Sequence, residues 1–539
     1  MSTSTLFEAL WTGDDDGVVR ALREGADAES RDDGETALYR AAVGNQPVAV
    51  RLLLAAGADP GRASGGDDGD LPLCGAACGG HTEVVRALLA AGADPDQEEA
   101  YGFTALAWAL RLGHTSTARA LLEAGADPHR PGPDGLAPLV AAARRGSPSC
   151  VTGLLDHGAG GDEVILGQAL AEARRWIGVD LAAVLRRGLV ESGGAGETYE
   201  AVVRRVPEDG GTTVIVELLR EDGAPGRGDE RQTGHAAVAT LLEGALGLRV
   251  PHEELAGRAL RCGDPGQDDW TTAVAALAAR ADETVLAAAT AWCEHPDPLR
   301  RALGAQLLAA APGFRTGAVP VLRRLARREA TRGTGGGPAE REARSGADGG
   351  TAERGATRGA GGGPAERETT SGAGGGPAEP AASVVAALGV CADGSAVPEL
   401  LAFAGHPDAE VRRRVAEALA GLVPAGHGEA VGVLVALSRD HDPRVRDWAT
   451  LALGELPDDT PVVREALAAR LADPDPETAA EAARGLTLRQ DPRAVDALTR
   501  VLTSAAPDSP ARETALAALE HLADPRLRTR LEWTAPRGR

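Results

Sequence analysis

The chain has 539 residues, of which 43% are hydrophobic and 25% charged, and its formal charge is −23 at pH 7. Such net acidity opposes contacts with phosphates, so general nucleic-acid binding is unexpected. No apolar run reaches the roughly 18 residues of a membrane span, and no basic and then apolar leader is visible, so neither a span nor a secretory signal is predicted. Six scattered cysteines are too few to frame disulfides, which favours a reducing cytoplasm.

The interior has to be built from a narrow set of side chains. The chain contains 14 aromatic residues, three Ile and one Met, and all 56 basic residues are Arg. The absence of Lys indicates a GC-rich genome and says nothing about function. Leu, Val and Ala suit closely packed helices better than sheets. At about 100–200 residues per domain, the length predicts several domains or one long repeat array.

A repeat runs through the N-terminal third. The tripeptide Gly-Ala-Asp begins at Gly25, Gly57, Gly92 and Gly125, so the spacings are 32, 35 and 33 residues. Each unit is predicted to hold two short helices, the second of which ends at this glycine, because glycine adopts the αL conformation of a C′ position without strain. The turn between the helices carries Gly in four units and Asn45, the only Asn of the chain, in the other. Asn is the non-Gly residue that best tolerates αL.

With its Gly-His turns and Leu-Leu pairs, this stretch resembles the ankyrin repeat. The resemblance covers residues 3 to 160 in five units and implies an ankyrin array at 1–160. The Thr-Pro-Leu-His tetrapeptide of the family survives only in fragments, such as Thr36-Ala37-Leu38-Tyr39. No fragment keeps the His that anchors a hydrogen-bond network in the family, so we expect an array of modest stability.

The loops between ankyrin units project as fingers, and partners of the family often contact the fingertips and the face of the first helices. The fingers of this chain are rich in carboxylates, which would attract a basic patch on a partner protein. The candidate partner-binding residues are Asp32, Asp33, Asp67, Asp68, Glu98, Glu99, Tyr101 and Phe103. Two other interpretations stay open, namely that the charges only solubilise the loops and that the aromatic pair packs beneath its finger.

Residues 161–280 are predicted to form a helical connector, and its middle allows two interpretations. The segment 197–219 alternates apolar and polar residues around a turn with Pro and Gly, which favours a β-hairpin. The alternative takes 214–219 and 234–242 as second helices of degenerate ankyrin units. Thr-Thr-Val-Ile-Val is a poor start for a helix, so the hairpin is preferred.

Two segments follow before the C-terminal part. Asp297-Pro298 has the N-cap and N1 residues of a helix and opens a HEAT-like unit at 281–330. In the next segment, 331–381, Gly-Gly-Gly-Pro-Ala-Glu begins at positions 335, 361 and 374. So little apolar surface cannot drive folding, and we predict a disordered Gly-rich linker. Such a tether would let two modules engage partners at the same time.

A second repeat fills residues 382–535. The segment Val411 to Leu422 recurs from Val445 and more loosely from Thr478 and Ala511, at offsets of 34, 33 and 33 residues. A candidate N-cap precedes each copy, at Asp408, Asp442, Asp475 and Asp508. These units resemble HEAT repeats of the short type seen in phycobilin lyase relatives. The resemblance implies an Arg–Asp ladder between repeats, with its arginines at Arg412, Arg446 and Arg512.

No constellation in the sequence predicts catalysis, a metal site or a cofactor. Cys74, Cys78 and His81 form one compact group, but the other units place Tyr, Ala and Val at the position of Cys74. We therefore interpret the cysteines as small core residues. HEAT-like metal hydroxylases hold iron with several His-Glu pairs, whereas this chain has the single pair His252-Glu253. Motifs for a P-loop, a nucleophile elbow or a zinc protease are missing.

The sequence as a whole predicts an all-α fold, an α-solenoid of ankyrin and HEAT repeats with a small β-hairpin near 197–219. The leading interpretation is a non-catalytic cytoplasmic scaffold or adaptor that binds partner proteins on the ankyrin fingers and on concave solenoid surfaces. No cofactor, metal or membrane is expected. Two alternatives remain, namely an enzyme on a HEAT scaffold, metal-dependent or acting on a nucleic-acid base, and a nucleic-acid-binding HEAT module.

Overall fold

Helices dominate the fold. A computed structural model describes residues 2–65, 69–193, 200–208, 210–220, 225–280, 282–334, 366–370, 380–506 and 509–534. The chain divides into two compact units. The first holds the described residues up to Cys262, together with Gly266–Ala273 and 366–370, and the second holds Gly263–Pro265 and the other described residues from Val274 onward. Among these residues, the helices are all too short or too polar to cross a membrane.

The N-terminal third contains five helix pairs. Their bounds are α1 Ser2–Thr12 and α2 Asp15–Arg23, α3 Ala37–Val43 and α4 Pro47–Ala55, α5 Pro72–Cys78 and α6 Thr82–Ala90, α7 Ala105–Leu112 and α8 Thr115–Glu123, and α9 Pro138–Arg145 and α10 Pro148–Asp156. The first helix of each pair packs on the first helix of the next, and the second helices stack in the same way. This is the five-unit ankyrin array that the sequence predicts.

Local residue chemistry sets where these helices begin and end. The Thr36 hydroxyl accepts a hydrogen bond from the Tyr39 N–H at 3.2 Å and caps α3. Asn45 has φ +51°, as its place in the turn predicts. The Gly-Ala-Asp glycines have φ between +91° and +98°, at Gly25, Gly57, Gly92 and Gly125. Because a side chain at such φ is strained, these glycines determine where the second helix of each of the first four pairs ends.

A polar side chain in front of the second helix reaches back to the preceding unit. The His81 ring nitrogen Nε2 lies 3.1 Å from the carbonyl oxygen of Val43, near the end of α3. His114 makes the same bond to Cys78 at 3.0 Å, and Gln46 donates to a carbonyl of α1 at 2.6 Å. These bonds satisfy carbonyls that a helix C-terminus leaves unpaired, and they tie neighbouring units together.

A sixth helix pair continues the array but is interrupted. Helix α11 (Glu163–Trp176) packs on α9, and α13 (His235–Ala245) packs on α10, where the two helices of a further unit belong. His235 follows a glycine, as the turn histidines of earlier units do, and its Nε2 lies 3.2 Å from the carbonyl oxygen of Arg144. Residues 235–245 are therefore helical, as the interpretation of 234–242 as a second ankyrin helix requires.

Residues 177–234 separate the two helices of this sixth unit and form an insert. The insert contains α12 Leu181–Gly193 and the strands β3 Glu200–Glu208, β4 Gly211–Leu219 and β5 Pro225–Gln232. The two shorter strands that precede it in the chain, β1 Arg31–Asp32 and β2 Glu35–Thr36, form the first finger of the array. Strands β3 and β4 form the antiparallel hairpin that the sequence predicts, with Val203 opposite Val216. The helical alternative for 214–219 is wrong, and β5, which pairs with β4, was not predicted.

The inserted sheet has its own small core. Its strand order is β5-β4-β3-β6, in which β6 (Glu366–Thr370) lies parallel to β3. One face packs on α12 through Leu181, Leu185, Leu189, Ala201, Val203, Val214, Val216 and Leu218. Alternation along β4 buries Val214, Val216 and Leu218 against α12 and leaves Ile215 and Glu217 on the other face.

The second unit is a stack of helix pairs. Helix α14 His252–Cys262 belongs to the first unit, and α15 Asp268–Arg280 and α16 Glu283–Trp292 follow it along the chain. The pairs are α17 Pro298–Ala310 and α18 Arg315–Thr334, α19 Pro380–Cys391 and α20 Val397–Leu401, α21 Ala409–Leu419 and α22 Gly428–Leu437, α23 Pro443–Glu455 and α24 Pro461–Ala468, α25 Pro476–Leu488 and α26 Ala494–Ser504, and α27 Pro510–Leu519 and α28 Pro525–Thr534. The first helices of successive pairs pack on one another.

Asp side chains start the first helices of this stack, as the sequence predicts. Asp297, Asp408 and Asp442 each accept a hydrogen bond from the backbone N–H two residues later, at 2.8 to 3.0 Å. Asp475 accepts from the N–H of Thr478 at 2.9 Å. The remaining candidate cap, Asp508, lies outside the described residues. These bonds satisfy N–H groups that a helix N-terminus otherwise leaves unpaired.

The expected Arg–Asp ladder joins successive pairs. The Arg412 guanidinium bonds to the Asp440 carboxylate at 2.7 Å, and the Arg446 guanidinium bonds to Asp473 at 2.8 Å. Both arginines also donate to two backbone carbonyls just ahead of their own helix. Arg512 differs in that it donates to the Leu502 carbonyl at 3.3 Å. The ladder is confirmed for the first two arginines.

The predicted linker lies between two consecutive pairs of this stack. Helix α17 packs directly on α19, and α18 also packs on α19. Arg323 and Arg327 of α18 both bond to Glu399 of α20, at 3.0 and 2.5 Å. The Gly-rich segment therefore does not separate two modules, and the tether mechanism expected from the sequence is wrong. Residues 335–365 and 371–379 lie outside the described residues.

Candidate partner-binding cleft

The first finger presents its carboxylates to solvent. Strands β1 and β2 pair through Asp32 and Glu35, with Asp33 and Gly34 between them at φ +48° and +86°. Two positive φ values describe a type I′ turn, for which Asp-Gly is a favoured pair. Asp32 and Asp33 are exposed at this tip. Their counterparts in the second finger, Asp67 and Asp68, lie outside the described residues.

The third finger divides its candidate residues between surface and interior. Tyr101 is 68% exposed, and Glu98 forms an ion pair with Arg130 at 2.9 Å. Glu99 is half-buried and accepts a hydrogen bond from the Trp108 indole N–H at 2.7 Å. Burial raises the pKa of Glu99, although this hydrogen bond opposes the rise. Of these residues, Tyr101 and Glu98 are exposed to solvent, whereas Glu99 stabilises the finger through its hydrogen bond to Trp108.

Aromatic side chains occur on the first helices of this array. Trp11 of α1 is 63% exposed, and the Arg40 guanidinium carbon lies 3.8 Å from the centre of its ring. Tyr39 is partly buried on α3. Trp108 of α7 stacks on Phe103 of the third finger, with ring centroids 4.2 Å apart. We refer to Trp11, Tyr39 and Trp108 as the first-helix aromatics.

A cavity of about 750 Å³, here named the cleft, lies between the array and the inserted sheet. On the array side it is lined by α7, α9, the third finger and the fourth finger (residues 130–136), through residues that include Phe103, Ala107 and Ala141. On the other side it is lined by α12, β4 and β5, including Ile215 and Gly228. Its volume is in the range of roughly 300–1,000 Å³ typical of ligand sites. The cleft exists because the insert overhangs the first-helix face.

Arg145 holds the insert against the array. Its side chain is 3% exposed, and it donates to the carbonyl oxygens of Leu112 on α7 and Glu230 on β5, at 3.0 and 2.8 Å. It also forms an ion pair with the Glu230 carboxylate at 2.9 Å. Gly113 leaves the space this guanidinium needs, since a Cβ there would lie 2.9 Å from the Arg145 Nε. Arg145 is thus a structural clamp between the two walls of the cleft.

The charged groups around the cleft are mostly paired. Five arginines and four carboxylates line it, so its formal charge is +1 in a chain of −23. Among the four that are paired, Arg144 bonds to Glu172 at 3.1 Å and Arg231 bonds to Asp229 at 2.7 Å. Within the described part of the chain, Arg111 has no carboxylate partner, and its guanidinium carbon lies 5.9 Å from the centre of the Phe103 ring.

Two buried titratable groups sit behind the cleft. His235 is 2% exposed, and burial lowers its pKa to about 4, with the nearby Arg231 charge acting in the same direction. Burial would raise the pKa of Glu172, but hydrogen bonds from Trp176 and Arg144 bring it below its usual value. His235 is therefore neutral and Glu172 ionised near pH 7, so both serve as fixed hydrogen-bond partners.

The cysteines near this face are not arranged for metal binding or nucleophilic chemistry. Burial raises the pKa values of the Cys74 and Cys78 thiols, and the thiolate is the reactive form. The His81 ring bonds to the Val43 carbonyl. Over the described ranges, no three His, Cys, Asp or Glu side chains are placed to share a metal ion.

Sequence reasoning located the fingers but missed the cleft. The cleft needs the sixth unit and the insert, which bring Ile215 and Gly228 over the array. One signal was available, because Gly234-His235 repeats the Gly-His turn ahead of a helical segment. Taking this turn together with the hairpin would have identified an ankyrin unit split by a β insert. No comparable sequence pattern identifies Arg111 or Arg145 as residues of the cleft.

Comparison with known families agrees with this geometry. The family model for ankyrin repeats (3 copies) matches residues 6–99 and 73–165. The family model for HEAT repeats matches residues 397–474 and 464–534. A search of curated proteins returns no match. The matched residues coincide with the first five helix pairs and with the C-terminal pairs of the second unit.

Proposed function

We propose that this chain, which joins ankyrin repeats at 6–165 to HEAT repeats at 397–534, is a non-catalytic scaffold or adaptor. It binds partner proteins on its ankyrin fingers and on the concave surfaces of its repeats. The observation that carries the proposal is the cleft, because it adds a recessed site with both apolar and charged lining to the first-helix face of an interaction repeat. Repeat arrays offer extended, pre-organised surfaces of this kind.

The distribution of aromatic residues supports this function. Of the 14 aromatic residues in the chain, six lie on the first helices of the ankyrin array or in the third finger. One of them, Phe7, is buried, and the other five are Trp11, Tyr39, Tyr101, Phe103 and Trp108. Trp11 and Tyr101 are 63% and 68% exposed, although exposure of a large aromatic side chain to water is unfavourable. Trp, Tyr and Arg dominate the binding energy of protein interfaces, so these positions are the best candidates for contact with a partner.

The finger carboxylates supply the second element of the proposal. Asp32 and Asp33 are exposed, and Glu98 and Tyr101 lie in the third finger. Acidic tips raise the rate at which a basic patch on a partner protein meets the array. A partner with such a patch, and not a nucleic acid, is the binding partner we propose.

The rival enzymatic function has less support. An iron site on a HEAT scaffold requires several convergent His-Glu pairs, and His252 and Glu253 are neighbours on α14 with 3.9 Å between their polar atoms. The six cysteines form no disulfide with one another in the described part of the chain, which supports the cytoplasm as the location.

Comparative capture from a cell lysate tests the proposal. Full-length wild type, a Trp11→Ser/Tyr101→Ser variant and a Trp533→Ser control are used as baits, and bound proteins are quantified by mass spectrometry. Trp533 is 68% exposed but lies on α28 in the second unit, so it controls for loss of an exposed aromatic residue. We expect a defined protein retained by wild type and by the control, and reduced tenfold or more with the double variant. Equal recovery by all three baits would refute binding on the ankyrin surface.

A further inference from the structure

Arg111 is a cation at the cleft that pairs with no carboxylate of the described residues. It lies on α7, its side chain is exposed, and its guanidinium carbon lies 5.9 Å from the centre of the Phe103 ring. The equivalent arginine of the next unit, Arg144, is paired with Glu172 at 3.1 Å. Of the five arginines that line the cleft, Arg111 is the one with no carboxylate partner among the described residues.

The other arginines of the cleft cannot take the same role without losing a contact. Arg145 holds β5 through Glu230, Arg231 is paired with Asp229 within β5, and Arg130 is paired with Glu98. A ligand carboxylate that reached Arg111 would pair the remaining arginine of the cleft lining. Guanidinium groups bind carboxylates through two parallel N–H donors, which makes the contact directional.

Apolar surface lies beside this guanidinium. Ala107 and Ala141 on the array side and Ile215 on the sheet side line the same cavity, and Phe103 stacks on Trp108 at its edge. An occupant therefore needs an apolar group within a few ångströms of its carboxylate. The first-helix aromatics continue from Trp108 to α3 and α1, so the binding surface is longer than the cleft itself. A peptide segment matches this length better than a small metabolite does.

We propose that the cleft binds an extended segment of a partner protein that presents an Asp or Glu carboxylate to Arg111 and an apolar side chain to the alanine-lined floor. This inference rests on the proposed scaffold function and specifies the chemistry of the bound segment. It complements the acidic fingers: the fingers attract a basic patch on the body of the partner, and the cleft accepts an acidic residue from a neighbouring segment.

A peptide-display selection on immobilised full-length protein provides the probe. Random twelve-residue peptides are enriched on wild type, and the recovered peptides are synthesised with a fluorescein label. Their affinities are then measured by fluorescence anisotropy for wild type, Arg111→Ala, Arg111→Glu and Arg119→Ala. Arg119 is the matched control, because it is an exposed arginine on α8 of the same repeat. Circular dichroism melts establish that each variant is folded.

The expected result is a family of peptides with a fixed acidic position next to an apolar one. Arg111→Ala should weaken their binding about tenfold or more, since a hydrogen-bonded contact to a charged group is typically of that strength, and Arg119→Ala should not. A peptide whose acidic residue is changed to Arg should regain affinity for Arg111→Glu. This charge exchange would identify the contact itself.

Two other outcomes separate the inference from the function beneath it. Peptides that lose binding with Trp11→Ser or Tyr101→Ser but are indifferent to Arg111, with no fixed acidic position, would overturn the acidic-segment inference and leave the scaffold function standing. Failure to enrich any peptide that responds to substitutions in the ankyrin array would count against both.

Discussion

The Nε2 atom of His235 lies 3.2 Å from the carbonyl oxygen of Arg144, although 91 residues separate them in the chain. The bond copies the contacts that His81 and His114 make to the units before them. The helix that follows the long insert is thus held to the preceding unit by the same histidine–carbonyl hydrogen bond that links the earlier units of the array. The insert, and with it one wall of the cleft, is held in place by this sixth unit.

Substitution of His235 should therefore destabilise the sixth unit. His235→Leu leaves the Arg144 carbonyl without its partner, which we expect to cost about 1–3 kcal/mol. His235→Gln should lose less, because Gln46 makes the equivalent bond in the second unit at 2.6 Å. The measurement is a urea titration followed by far-UV circular dichroism. If the two variants lost the same free energy of unfolding, the hydrogen bond to the Arg144 carbonyl would not contribute to the stability of the sixth unit.

The free energy of unfolding should also decrease as the pH is lowered, because His235 is buried in its neutral form. Its folded pKa is about 4 and an unfolded histidine titrates near 6.5, so between these values only the unfolded state binds the proton. The stabilisation is complete above pH 6.5 and is lost as pH falls toward 4, on the order of 2 kcal/mol by pH 5. Urea titrations of wild type and His235→Gln at pH 7 and 5 test this. The variant should lose less stability than wild type, and parallel losses would contradict the assignment.

A buried ion pair ties α11, α13 and α14 together. The side chains of Glu243 and Arg258 are 2% and 1% exposed and bond at 2.6 Å, and Arg174 adds a second bond to Glu243 at 2.7 Å. Loss of Arg258 leaves the buried Glu243 carboxylate with the half-exposed Arg174 as its remaining partner, so Arg258→Met should cost about 3 kcal/mol. The double variant Arg258→Met/Glu243→Leu should recover part of this loss. Thermal unfolding of both variants measures the coupling, and additive effects would argue against it.

The elements that sequence could predict are those whose residues act locally. Glycine at the ends of the second helices, Asn45 in its turn and the Asp caps of the HEAT pairs depend on backbone conformation within a few residues. The ladder was implied by the resemblance of these units to HEAT repeats. The cleft depends instead on contacts such as Arg145 with Glu230, 85 residues apart, for which no local pattern exists. The tether expectation failed because packing of α17 on α19 is also non-local.

The arginines of the HEAT ladder should not tolerate lysine. Arg446 is 12% exposed and donates at once to the Asp473 carboxylate and to two backbone carbonyls, which a single ammonium group cannot reproduce. We expect Arg446→Lys to cost about 1–2 kcal/mol. Arg444 is a matched control two residues away, since its side chain is 65% exposed and pairs only with Asp442 at the surface. Arg444→Lys should change the free energy of unfolding by less than about 0.5 kcal/mol, as measured by urea titration. If Arg446→Lys and Arg444→Lys changed the free energy of unfolding by similar amounts, the ladder would not contribute to stability.

Gly146 sets how closely the insert approaches the array. It has φ +79°, and a Cβ there would lie 2.5 Å from the carbonyl oxygen of Gln232 and against the His235 ring. Gly125 is the matched control, with φ +95° and no atom within 4 Å of its ideal Cβ. Gly125→Ala should cost only the αL strain of about 1–2 kcal/mol.

Gly146→Ala should cost more than this control, because the Gln232 backbone must move and carry β5 with it. The displacement would widen the cleft, so Gly146→Ala should also weaken binding of a cleft-selected peptide while Gly125→Ala leaves it unchanged. Urea titration gives the first quantity and fluorescence anisotropy the second. If both variants lost the same stability and kept full peptide affinity, the close contact between Gly146 and Gln232 would not determine the width of the cleft.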